Sequence, residues 1–256
     1  MSDTTVATGQ YVYCIIRCPQ HRQLRAAGLG GRDDVVHTLH FRDLAAVVSD
    51  SPQDRYQQTR QNMLGHTVVL EEVMGALPLL PVRFGTVAPN AEAVTERLLK
   101  QRYEEFGRLL GEMDGMVELG LKALWREEVL FEEIVEANPD IRHLRDSLSG
   151  RPAPATHFGR MRLGEMVENA INAKRYADAQ ALLARLKPLA EQSRENALIG
   201  DRMVLNGAFL VPAEREAAFD HAIEQIDAEM GARMILKYVG PTPPYNFVNI
   251  TVTWGQ

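Results

Sequence analysis

Apolar positions along the chain change period several times, and each change marks an element. Tyr11-Val12-Tyr13-Cys14-Ile15-Ile16 is an unbroken run of aromatic, β-branched and thiol side chains, which predicts a strand buried on both faces. Val35 to Phe41 and Leu44 to Ser49 predict two more strands joined as a hairpin across Arg42-Asp43, while GLGGRDD at 28–34 is turn material. From Arg55 to Leu77 the positions Met63, Leu70, Met74 and Leu77 fall at helical spacing, and Pro78 stops the helix. LLPVRFGTV, residues 79–87, reads as a strand entering a turn at Ala88-Pro89-Asn90. A second helix follows with Leu99, Tyr103, Phe106, Leu110 and Met113 as its stripe.

The β pattern restarts beyond Gly111 to Gly115. Over Met116 to Trp125 the odd positions Val117, Leu119, Leu121, Ala123 and Trp125 are apolar, while Glu118 and Lys122 face the other way. Helical pattern runs from Glu127 to Leu148 with a break at Asn138-Pro139, SGRPAPATHF at 149–158 has loop composition, and helix returns from Met161 to about Leu189. Two β runs follow, Ala197 to Ile199 and Met203 to Val211. The hairpin turn between them is placed at Gly200-Asp201, because a turn at Asn206-Gly207 would leave Gly200-Asp201 interrupting the preceding strand; Gly207 is then expected to mark a bulge. A helix from Pro212 closes at Gly231, and Met234 to Val239 is the last strand of this set.

These elements predict an α+β protein of two domains. An N-terminal α+β domain covers 1–112. A C-terminal domain covers 113–256, its order strand, helix, strand, strand, helix, strand being that of a ferredoxin-like split βαβ fold. Its first crossover is far longer than one helix requires, so a helical insertion is expected at about 127–190, followed at the far end by a proline-rich stretch.

Composition narrows the classes of function. A chain of 256 residues with 45% apolar and 24% charged residues is long enough to bury a sizeable core. Its formal net charge of −6 gives no basic footprint, which argues against a nucleic-acid partner. Val73 to Val82, broken by Pro78 and Pro81, is about half the roughly 20 residues of a membrane span, so no membrane association is expected. MSDTTVATGQ has neither a basic start nor an apolar signal core, which predicts a cytoplasmic location. Cys14 and Cys18 are too close for a strand-to-strand disulfide and lack CxxC spacing; buried structural thiols are expected.

Local motifs for chemistry are weak. His37 and His40 would point to opposite faces of a strand, which disfavours a metal pair; His66 and His221 are expected to be ordinary helix residues. Glu71-Glu72, Glu127-Glu128 and Glu132-Glu133 are helix neighbours that do not face each other, a poor geometry for shared acid–base work. Gly28-Leu29-Gly30-Gly31 lacks the Lys-Ser/Thr of a phosphate loop. No GxSxG or HExxH occurs, so no enzyme and no metal or cofactor is predicted.

Four stretches in register carry a resemblance. Tyr11 and Tyr13 lie in an opening strand; Pro81, Arg83, Phe84, Gly85 and Thr86 form a Pro-x-Arg-Phe-Gly-Thr segment; Phe209, Leu210 and Val211 precede a helix; and Gly240, Pro241, Pro243, Pro244, Tyr245 and Phe247 stand in the ending GPTPPYNFV. In this the chain resembles the GvpL/GvpF family of gas vesicle proteins. The resemblance implies a two-domain α+β fold and a non-enzymatic accessory or minor structural component of gas vesicles, the gas-filled shells that give some microbes buoyancy. It also implies, as partners, the small hydrophobic shell protein and other accessory proteins during nucleation and assembly, with a chaperone-like limit on shell-protein aggregation. The alternative is a ferredoxin-like protein that binds a small molecule or catalyses a reaction. One departure stands out: relatives often place Trp between the first two prolines of the ending, where this chain has Thr242.

Three expectations follow for particular segments. Arg83 is expected in an ion pair tying its strand to a helix, and the 127–190 insertion with its 149–158 loop is expected to carry partner choice. In the ending, Gly240 and Pro241 are expected to stop the last strand, Tyr245 and Phe247 to anchor the chain, and Asn249 to Trp254 to add a short strand that reaches the N-terminal domain.

Overall fold

The computed structural model describes residues 9–29, 34–52 and 54–254. Residues 1–8 of the N-terminal segment and 30–33 of GLGGRDD, including half of the glycine-rich stretch, lie outside them. The fold is mixed α+β with antiparallel sheets. The described residues divide into two compact units, one within Met1–Glu118 and Pro241–Gln256, the other Leu119–Gly240. This differs from a boundary at 112/113, and it assigns the proline-rich ending to the first unit instead of the second.

The first unit is a sheet of order β2-β3-β4-β1-β5, with β6 also paired to β1. The most apolar strand, β1 (Gly9–Arg17), lies inside it. It pairs antiparallel with β4 (Leu44–Ser51) on one side and with β5 (Leu79–Pro81) and β6 (Val87–Ala88) on the other. β3 (Val35–Phe41) and β2 (Gln23–Ala27) extend the sheet; β2 has no counterpart in the hydrophobic pattern because only alternate residues are half-buried. The β1–β4 register slips between Val12 and Cys14. Such a bulge puts successive residues on one side, so Tyr11 and Tyr13 and then Cys14, Ile16 and Cys18 join a single core cluster. Both thiols are free and buried.

Helix α1 (Arg60–Met74) supplies Val69, Leu70 and Val73 to that cluster, and its N-terminus is capped by Thr59 Oγ1, which accepts the Asn62 N–H at 3.2 Å. Its inward stripe is His66, Val69, Leu70 and Val73, spaced i, i+3, i+4, i+7. Met63, expected on that stripe, is 41% exposed. Residues 79–87 are two short strands instead of one: the chain leaves the sheet at 82–86 and returns as β6. A π-helical segment (Ala93–Lys100) and α2 (Tyr103–Met113) complete this part, burying Leu99, Phe106, Leu110 and Met113.

The second unit holds a four-stranded sheet of order β10-β7-β9-β8. β7 spans Met116–Trp125 with Leu119, Leu121, Ala123 and Trp125 buried, as the alternation predicts. α3 (Glu127–Ala137) and α4 (Pro139–Leu148) meet at the expected break, but the 149–158 segment is not a loop throughout. α5 runs from Ala153 to Leu186, roughly 50 Å at 1.5 Å per residue, with Pro152 as its N-cap, where a missing N–H costs nothing. β8 is Gln192–Glu195, earlier than the expected 197–199, and pairs antiparallel with β9 (Met203–Pro212) from Gln192↔Leu210 to Glu195↔Gly207. The chain turns at 200–202, and Asn206-Gly207 stays inside β9. Pairing at Gly207 is regular instead of bulged; glycine is needed there because a Cβ would sit 2.9 Å from the Phe209 ring. α6 (Glu216–Met230) and β10 (Met234–Thr242) finish the unit. β10 passes through Pro241 instead of stopping before it; at the edge of a sheet a residue without N–H is tolerated.

Candidate functional site

The first and second family segments meet around Tyr11. Gly85 N–H donates to Tyr11 Oη at 3.0 Å, and Tyr11 Oη lies 3.0 Å from His66 Nδ1. Gly85 N–H donates to the Tyr11 oxygen and Nδ1 is the acceptor within reach of the Tyr11 proton among the described residues, so we assign the hydroxyl as donor to Nδ1 and the imidazole proton to Nε2. Tyr13 Oη accepts the Leu29 N–H at 2.9 Å and contacts Ser49 Oγ at 3.0 Å. The Tyr11 and Tyr13 rings are 4.7 Å apart, and His66 stacks on Tyr13 at 5.7 Å with Phe84 edge-on at 5.6 Å. Burial raises both phenols and lowers His66 to about 4, so the imidazole is neutral at pH 7. His66 is 2% exposed, yet its Nε2 has no hydrogen-bond partner. An ordinary helix residue would not show this; the signal was available in the His66-Val69-Leu70-Val73 spacing.

The turn that carries Phe84 is held by Thr86, whose N–H and Oγ1 both donate to the Arg83 carbonyl at 3.2 and 2.7 Å. Gly85 has φ of 83°, a left-handed value that costs a side-chain-bearing residue about 1–2 kcal/mol. Gly85→Ala is therefore expected to lower stability by about that amount. Urea denaturation followed by tyrosine fluorescence checks it; an unchanged midpoint would show that the turn relaxes freely.

The ending packs onto the same region. Pro81 lies opposite Cys14 in the sheet, and Val82 beyond it forms a parallel bridge with Ile250. Asn249 to Trp254 thus contributes a single bridge instead of a strand. Glu118, expected on the outer face of β7, is 4% exposed: its carboxylate accepts the Asn246 N–H at 2.8 Å and the Asn246 side-chain amide at 2.6 Å. Thr242 Oγ1 donates to the Glu118 carbonyl at 3.3 Å, so a hydroxyl ties down the backbone where relatives often carry an indole. Phe247 and Val248 N–H both return to the Pro244 carbonyl, which makes PPYNFV a tight turn. Neither Glu118 nor Asn246 was identifiable from the sequence, since 128 positions separate them.

Between α1, the 81–84 segment and this ending lies an open cleft of about 580 Å³. Val82, Phe84, Val248 and Ile250 form apolar walls, Tyr245 is half-exposed at the side, and His66 and Arg83 both face the cleft. Arg83 is exposed and makes no ion pair among the described residues, contrary to the expected tie to a helix.

The third family segment lies in the second unit. Phe209, Leu210 and Val211 are buried in β9, with Phe209 5.2 Å from the Phe219 ring of α6. Trp125 Nε1 donates to Asp178 at 2.8 Å, and Asp178 joins Glu133, Lys174 and Arg233 in a partly buried ionic cluster. Hydrogen bonds from Arg233, with Lys174 adding to them, hold the Glu133 carboxyl down to about 2. An open cleft of about 740 Å³ lies among α3, α5 and the 199–202 turn. Phe131 is 50% and Ile199 70% exposed at its margin, with Val167 and Ile171 of α5 along its wall. Among the described residues three further buried side-chain atoms lack a hydrogen-bond partner, Gln10 Oε1, His40 Nδ1 and Arg175 Nε, the last on a residue lining this cleft. His40 contacts Thr38 and the His21 ring, and no group of three or more metal-ligating side chains occurs among the described residues.

Comparison with known proteins agrees with this arrangement along almost the whole chain. The family model described as "Gas vesicle synthesis protein GvpL/GvpF" matches residues 9–249. Gas vesicle protein F of Nostoc sp. (strain PCC 7120) is 27% identical over 248 residues, covering 96% of this chain and 100% of that protein. Gas vesicle protein F of Streptomyces sp. (strain CB03234) is 31% identical over 240 residues, covering 93% and 98%. The crystal structure of the gas vesicle protein GvpF from Anabaena sp. PCC7120 superposes with a TM-score of 0.84 at 27% identity, covering 96% of this chain and 100% of that one.

Proposed function

The chain belongs to the GvpL/GvpF family of gas vesicle synthesis proteins, and from that premise we propose that it is a vesicle-associated accessory protein. It binds the small hydrophobic shell protein and other vesicle proteins during nucleation and assembly, and limits aggregation of the shell protein. The observation that carries this is the open cleft among α3, α5 and the 199–202 turn, where Leu130, Phe131, Val167, Ile171 and Ile199 form an apolar strip flanked by Glu127, Glu168, Arg175, Asp201 and Arg202. It is lined by α3, the first half of α5 and the 199–202 turn, and it leaves Phe131 and Ile199 in solvent. Covering several hundred Å² of a partner's apolar face at roughly 25 cal/mol per Å² suppresses its self-association without a permanent complex. The order β10-β7-β9-β8 supports treating the second unit as a ferredoxin-like module with the α3–α5 insertion between its first two strands. No described helix is long and apolar enough to cross a membrane.

Co-expression with the shell protein tests the proposal. The wild-type chain is expected to raise the soluble fraction of shell protein. Phe131→Asp, at a half-exposed position, is expected to abolish that gain while its own thermal midpoint stays within a few degrees. Shell protein that is equally insoluble with and without the wild-type chain sinks the holding role. Equal rescue by Phe131→Asp moves it away from this cleft.

A further inference from the structure

The cleft of the first unit has a chemistry of its own, independent of the shell-protein proposal. Its lining is more apolar than polar, with Thr67, Asn249 and Thr251 among the polar side chains; it contains no Asp or Glu, and two of its polar side chains have unused donors. Arg83 is an exposed guanidinium without an ion pair among the described residues. His66 is buried, its Nδ1 is occupied by Tyr11, and its Nε2–H has no acceptor. Buried side-chain donors are almost always satisfied in folded proteins, so an unmet one beside a cleft points to a group that arrives from outside.

We infer that this cleft binds an acidic side chain carried on an apolar segment of a partner protein, its carboxylate taken by Arg83 and the His66 Nε2–H. Three features select that occupant. One cation without an ion pair among the described residues, in a cleft more apolar than polar and a chain of net charge −6, complements a single anion on a largely apolar body and disfavours a polyanion. A guanidinium and a fixed N–H match the two oxygens of a carboxylate. The cleft is open along the ending, so it suits a chain that continues past both ends; small-molecule sites typically bury most of their ligand.

The probes are the capped peptide acetyl-Ala-Leu-Glu-Leu-Ala-amide, its Gln counterpart, and hexanoate, each titrated into the full chain. Affinity is followed calorimetrically and the His66 ring nitrogens by NMR. The Glu peptide is expected to bind and to shift the Nε2 resonance more than Nδ1. The Gln peptide and Arg83→Met are each expected to weaken binding about ten-fold, the effect of losing one charge-assisted pair. Arg83 is exposed, so this variant folds. Absence of Glu-peptide binding at millimolar concentration overturns the inference, as does equal affinity for Glu and Gln peptides or an unchanged Arg83→Met. Hexanoate binding as tightly as the Glu peptide overturns the assignment to a protein segment.

Discussion

Truncation after Val239 is expected to unfold the first unit, exposing residues 9–118 to trypsin under conditions where the full chain resists it. The ending is part of that unit's core. Val248 and Ile250 are 4% and 1% exposed, and burying each is worth about 1.5–3 kcal/mol. Asn246 makes two hydrogen bonds to the buried Glu118 carboxylate, each contributing about 1.5–3 kcal/mol. At their lower ends these come to about 6 kcal/mol, comparable with the whole stability of an ordinary domain. Removing the ending also leaves the Glu118 carboxylate without both of these partners, an effect that contact energies alone do not count. Asn246→Ala gives a graded version, expected to cost about 2–3 kcal/mol by chemical denaturation. A truncated chain with the full-length denaturation midpoint and the same tryptic pattern would show that the ending is dispensable.

What was legible in the sequence and what was not separates along physical lines. β7 was readable from end to end, because a strand with one buried face writes its period into the chain. The β3–β4 hairpin and α6 were readable for similar reasons, through tight-turn residues and a clear stripe. β2 was not, since an edge strand in which no residue is fully buried leaves little pattern. The start of α5 was missed because Pro152 and Gly150 have loop composition, although proline is compatible with a helix start. The cleft of the first unit was half legible: the four family segments were found, and the Tyr11 and Arg83-Phe84-Gly85 segments prove to be neighbours. The contacts that hold the ending in place join residues more than 120 positions apart, Glu118 with Thr242 and Asn246, and no local period encodes such a pairing.

Acidification from pH 6.5 to pH 4 is expected to remove about 3 kcal/mol of stability through His66 alone. In the folded chain burial holds this imidazole down to about 4, against 6.5 when exposed. Above pH 6.5 both states are neutral there and the group adds no pH dependence. Between 6.5 and 4 the unfolded chain takes up a proton that the folded chain refuses, so stability falls as pH falls; below 4 both states are charged and the loss is complete. Each pH step in that window is worth about 1.36 kcal/mol, which gives the total. The phenols around His66, Tyr11 and Tyr13, have raised values and stay protonated throughout, so they do not mask it. The Glu133 carboxyl, held down to about 2, loses its stabilising effect only below about 4.5, in a separate window. His66→Phe keeps an aromatic ring between Tyr13 and Phe84, removes the Tyr11 hydrogen bond, and is expected to be less stable at pH 7. Its urea midpoint should nevertheless change much less than that of wild type between pH 6.5 and 4.5. Parallel pH profiles for the two proteins would mean that the folded chain accommodates the imidazolium, through water or an anion admitted from the cleft, and that burial does not hold the ring neutral.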